Sequence, residues 1–220
     1  MQTDTRRVSA SVIYVVVVLL TVSTVRSQVP AAATAEVSDA EYEVLSAYIA
    51  GTFTGSKGKA RVDRDITRIV IVNVTQSDEQ DRLLDDEHGH PMRWKTTTKL
   101  LRKQAPALDR TTLEAFRKTN TEQALLRHSF QLGIDYELVD ADRIDAIFKN
   151  GGWWPDYYKA FPGAQGVLGL SRVGFSADGG QALFYAGNSC GGKCGTGSYV
   201  LMQKRDGRWA IAKEIVMWVS

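Results

Sequence analysis

Apolar residues recur along this chain in two rhythms. Up to about residue 160 they mostly return every three or four positions, the spacing of one helix face, interrupted by two runs rich in β-branched residues. From Val167 onward they form short runs separated by tight turns. Ser38-Asp39-Ala40-Glu41 reads as a capping box, with the serine side chain taking the N–H three residues on and the glutamate reaching back. The helix it opens carries Tyr42, Leu45 and Ile49 on one face and should end near Gly51. Gly55 to Gly58 reads as a loop. Ile66 to Thr75 (Ile-Thr-Arg-Ile-Val-Ile-Val-Asn-Val-Thr) predicts a strand, because branched side chains suit a pleated, half-buried surface. A segregated stretch follows, acidic from Asp78 to Glu87 and basic from Arg93 to Lys103. Its basic half predicts a helix ending before Pro106, although Thr96–Thr98 lose rotamer freedom there. Asp109 or Thr111 caps another helix, which carries Leu113 and Phe116 and stops near Asn120. Phe130 to Val139 predicts a strand, and Asp140 caps a short helix from Asp142 to Phe148. Trp153 to Ala160 is an aromatic turn or helix closed by Phe161-Pro162-Gly163.

Beyond Val167 the pattern predicts strands over Leu168–Phe175, Ala182–Ala186, Ser198–Gln203 and Trp209–Val219. Asp178-Gly179 and Asp206-Gly207 are the turns, and Asp-Gly between apolar runs is a strong hairpin signal. The expected class is α+β, with N-terminal helices and a few strands packed on a C-terminal antiparallel β-meander. About 190 residues after the leader suffice for one domain with its own core.

The N-terminus changes the picture of compartment. Arg6 and Arg7 precede an uncharged stretch from Val12 to Val25, and Val25-Arg26-Ser27 offers a small residue at the cleavage point and a tolerable one two positions before it. This is the three-part plan of a secretory signal peptide, and the apolar stretch is shorter than the roughly 20 residues of a spanning helix. Residues 1–27 are therefore expected to be a signal peptide, 28–37 a flexible linker, and 38–220 a single α+β domain that is secreted or periplasmic. No stable membrane insertion is expected after cleavage. Retention of the leader as an anchor is the alternative. The whole chain has 27 basic and 25 acidic residues, and losing Arg6, Arg7, Arg26 and Asp4 leaves equal numbers. A neutral domain has no general electrostatic attraction to nucleic acid or to an anionic membrane.

Several segments together resemble an uncharacterised family of secreted bacterial proteins. They are Ser171-Arg172-Val173-Gly174-Phe175, Gln181-Ala182-Leu183, the stretch Gly187 to Gly197 with its Cys-Gly-Gly-Lys-Cys core, and Gly207-Arg208-Trp209. Upstream, Thr112-Leu113 with Phe116 and Asn120, and Trp154 with Tyr158, Pro162 and Gly163, also fit that pattern. The resemblance covers roughly residues 100–220 and implies a compartment and a shape, with no chemistry attached. The hairpin Lys204-Arg205-Asp206-Gly207-Arg208-Trp209 is also similar to the last hairpin of nuclear-transport-factor-2-like cone folds.

Five features are candidates for chemistry. Cys190 and Cys194, the only two cysteines, are expected to form a disulfide in an oxidising compartment. Their three-residue spacing differs from the two-residue redox motif, and a thiol role, a two-cysteine metal site or a ligand loop are the alternatives. Trp153, Trp154, Tyr157 and Tyr158, with Phe161, offer faces for stacking a sugar or peptide, or else pack a helix onto the sheet. His88 and His90, in Asp85-Asp86-Glu87-His88-Gly89-His90, have metal-ligand types at alternate positions, or form a solvated charged loop. His128 has no nucleophile paired with it by sequence, and the sequon Asn73-Val74-Thr75 falls within a predicted strand. No cofactor is implied. The reading favours a non-catalytic binding or interaction domain whose partner is a small molecule or another envelope protein. The alternative is a secreted metal-dependent or carboxylate-based hydrolase.

Overall fold

A computed structural model describes residues 36–54, 66–77, 94–149 and 151–220. The leader, most of the linker and the Asp85–His90 segment with His88 and His90 lie outside these residues. Helix α1 spans Asp39–Ile49 and continues into a π-helical turn, Ala50–Thr54. There follow β1 (Arg68–Val72), α2 (Trp94–Gln104), α3 (Arg110–Thr119), β2 (Asp135–Val139), α4 (Ala141–Lys149) and α5 (Trp154–Ala160). The chain finishes in strands: β3 (Val167–Leu170), β4 (Gly174–Phe175), β5 (Gln181–Ser189), β6 (Thr196–Arg205) and β7 (Arg208–Val219). Among the described residues no helix is long and apolar enough to cross a membrane.

The seven strands form one mixed sheet in the order β2-β1-β3-β5-β6-β7, with β4 also paired to β5. The β1 strand runs parallel to β2 and β3, and the remaining pairs are antiparallel. The expected α+β class and C-terminal meander are therefore present, with a parallel wing added to one side. One face packs Tyr42, Leu45 and Ile49 of α1 against Ile69, Ile71, Phe184 and Val200. The other face is covered in two halves. Leu101, Leu113 and Phe116 of α2 and α3 meet Leu183, Tyr199 and Leu201, while Ile144, Tyr157 and Phe161 meet Val70 and Val139. Successive residues of β5 thus go to opposite cores, and a strand buried on both faces reads as a continuous apolar run.

Two strands differ from expectation. Leu168–Phe175 is broken after Leu170, because side chains take the backbone groups a ladder would use. Asn120 accepts from the Arg172 N–H (2.8 Å) and donates to its carbonyl (3.1 Å), while Glu41 accepts from the Val173 N–H (3.1 Å). Pairing resumes at Gly174, where a Cβ would stand 2.1 Å from the backbone nitrogen of Phe116, so α3 lies directly on the chain. Phe130–Val139 pairs only from Asp135. Gly133 turns the chain with φ +67°, and the Gln131 N–H is taken by the Ser46 hydroxyl at 3.0 Å.

The capping box holds the start of α1 as its sequence predicts. Glu41, 3% exposed, also meets Arg172 in a two-bond ion pair, from Nε at 2.9 Å and from the terminal nitrogen at 2.8 Å. With the Ser38 N–H and hydroxyl and the Val173 N–H, the carboxylate accepts five hydrogen bonds. Burial pushes its pKa up, but the hydrogen bonds and charge of Arg172, with the backbone donors, outweigh this and hold it below the ordinary value. Val37 beside it is buried, so the domain core takes in the end of the expected linker. At the opposite edge, β7 pairs with β6 through two register shifts, and Asp206 (φ +50°) and Gly207 (φ +76°) form the hairpin turn between them.

Candidate functional site

Beyond the C-terminal end of α1 the sheet face carries a cavity of about 290 Å³. Tyr48, Thr52 and Phe53 form one wall, from the last turn of α1 and the π-helical turn. The floor is the sheet itself, where Asn188 of β5 lies opposite Thr196 of β6, and Ser198 lies two pairs further along, opposite Ala186. Cys190, Lys193 and Cys194 form the rim at the end of the strands, and Glu214 of β7 stands at the other end, near Tyr48.

The expected disulfide is present, with Cα atoms of Cys190 and Cys194 5.1 Å apart. It closes the loop between β5 and β6. Tyr158 of α5 and Trp153 just before it reach this loop. The Tyr158 hydroxyl donates to the Cys190 carbonyl at 2.9 Å, and the Tyr157 hydroxyl donates to the Gly166 carbonyl at 2.7 Å. Tyr157 is fully buried, and burial pushes its phenol pKa up. Trp154 packs edge-on against Phe148 at 5.3 Å. Trp153 is 59% exposed, and a methyl group at Gly192 would stand 3.6 Å from its ring. None of these four side chains lines the cavity. The aromatic segment and the cysteine loop, separate candidates in the sequence, are thus one assembly in which α5 braces the rim.

The floor was not legible as a site. Gln165, fully buried, uses its side-chain amide as a strand would, accepting from the Val70 N–H (2.9 Å) and donating to the Val70 carbonyl (3.0 Å). Its nitrogen also approaches the Asn188 side-chain oxygen at 3.4 Å. Asn188 is 9% exposed and Ser198 is 6% exposed. Beyond that contact from Gln165, neither side chain has a hydrogen-bond partner among the described residues. Their unused polar atoms face the cavity and not the packed interior. The sequence signal was a polar residue at an inward position beside the apolar run of each strand, Asn188 after Gly187 and Ser198 after Gly197. Burial pushes the Tyr48 phenol pKa up, and the Glu214 carboxylate adds to that. On the reverse face Gly187 and Gly197 lie opposite each other beneath Trp218, whose indole N–H donates to the Tyr185 hydroxyl at 2.6 Å. A Cβ at Gly197 would stand 2.1 Å from both partners, so this cross-strand lock fixes the strands carrying Asn188 and Ser198.

His128 is exposed beside Tyr136, away from the cavity. No protein-family model, curated protein or solved structure matches the chain.

Proposed function

We propose that this protein is an exported, non-catalytic binding domain whose ligand occupies the cavity between Tyr48 and the Cys190–Cys194 loop. One observation carries the reading: Asn188 and Ser198 are more than nine-tenths buried, open onto the cavity, and retain hydrogen-bonding capacity that no described residue uses. A bound molecule supplies the missing partners, and a concave site with a few convergent polar groups is the usual form of a small-molecule site. Export is supported by the leader pattern of residues 1–27 and by the disulfide, which persists in oxidising compartments.

The site is tested by thermal-shift screening of small polar molecules against the wild type and two cavity variants. Ser198→Phe fills the floor, and Asn188→Leu removes its amide at similar volume. Hits should stabilise the wild type and lose their effect in both variants. Hits that stabilise all three proteins equally would place the binding elsewhere. For export, N-terminal sequencing of secreted material should find cleavage near Ser27, and a chain still beginning at Met1 would count against it.

A further inference from the structure

The character of the ligand follows from which groups lie deep in the cavity and which lie at its mouth. At the floor stand the Asn188 amide, the Ser198 and Thr196 hydroxyls, and the Gln165 amide already engaged by the Val70 backbone. Among the described residues no side chain there carries a charge. The charged side chains among the described lining residues are Lys193 and Glu214, both exposed and at opposite ends of the rim. An ion driven to the floor would lose its water and gain no counter-charge from any described residue, which is strongly unfavourable. Hydroxyls and carboxamides, in contrast, each donate and accept. They match a molecule whose own groups do both.

Size and walls narrow this further. At about 290 Å³ the cavity lies at the small end of ligand sites, and Phe53, Ile66 and Val216 give it apolar sides. We infer that the cavity takes a small uncharged ring bearing hydroxyl or amide groups, of the kind found in a neutral or N-acylated monosaccharide. The polar groups of the ring meet Asn188 and Ser198, and its C–H faces lie against Phe53 and Val216. This inference rests on the cavity being the binding site.

The test uses the mature protein with its disulfide intact and four related probes: glucose and N-acetylglucosamine (neutral), glucosamine (cationic) and glucuronate (anionic). Affinities are measured by titration calorimetry or ligand-observed NMR. At least one neutral probe should bind, and both charged probes should bind tenfold or more weakly. Ser198→Ala should weaken the neutral probe about three- to tenfold, the worth of one hydrogen bond, and Ser198→Phe should abolish its binding. If a charged probe binds as well as the neutral ones and Ser198→Phe still abolishes it, the cavity is the site and the inference of a neutral ligand is wrong. If no probe binds while other molecules bind in a Ser198→Phe-sensitive way, the inference is again overturned and the site stands. Binding that survives Ser198→Phe and Asn188→Leu overturns both.

Discussion

The two ends of α1 treat buried polar groups in opposite ways. At the N-terminal end the Glu41 carboxylate accepts five hydrogen bonds and neutralises Arg172, so each group there is matched by another within the protein. At the C-terminal end Asn188 and Ser198 are comparably buried and keep capacity that no described residue uses. The helix joins a closed network to an open one across the same sheet face. Closed networks fix a fold, since removing one member leaves another buried and unpaired. An open network adds little to the stability of the free protein and remains available to a ligand.

The largest test of this contrast is Glu41→Ala, which leaves the Arg172 guanidinium, 12% exposed, without its anion. Breaking a buried pair from one side costs about 3 kcal/mol or more, read as a lowered midpoint in urea unfolding. An unchanged midpoint would remove the distinction between the two ends. Acid should reach the same network. The ordinary carboxyl pKa is 4.5 and that of Glu41 in the folded chain is lower. Between these values the unfolded chain binds a proton that the folded chain does not. The stabilisation is therefore complete above the ordinary value and is lost as pH falls through the folded value. Unfolding free energies measured between about pH 6 and 3 should fall less steeply in Glu41→Gln.

Reducing Cys190–Cys194 should have a smaller effect. Chain entropy for so short a loop predicts at most about 2 kcal/mol, seen as a modest drop in melting temperature, and mass spectrometry of unreduced, alkylated protein should find no labelled cysteine. The smallest effect belongs to Ser198→Ala. With no hydrogen bond to a described residue to lose, it should change stability by less than about 0.5 kcal/mol. A cost above about 1.5 kcal/mol would mean that the hydroxyl is engaged within the protein.

The legible parts of the molecule are those whose causes are local. Ser38 and Glu41 announce α1 because a capping box lies within four residues, and Asp206-Gly207 announces its hairpin because the turn requires positive φ at both positions. The partner of Glu41 was not legible, since Arg172 is 131 residues away. The break in Leu168–Phe175 was hidden for the same reason, as it depends on Asn120 and Glu41 arriving from other elements. Parallel pairing of β1 with β2 and β3 leaves no turn in the sequence to betray it. Of the candidate site, the cysteine rim was visible as a spacing. The floor was not, because Gln165, Asn188 and Ser198 become one surface only through strand register.

The irregular edge of the sheet has a consequence for crowded conditions. An exposed strand invites copies of itself to stack alongside, the first step toward fibrils. β7 carries Ile211, Val216 and Val219 on its exposed surface, an inviting composition. Its two register shifts each insert a residue that throws the outer row of amides and carbonyls out of step. Lys213 and Glu214 place charge between the shifts. A second molecule approaching this edge can match only a few rungs before the spacing fails, so β7 limits the growth of the sheet it borders.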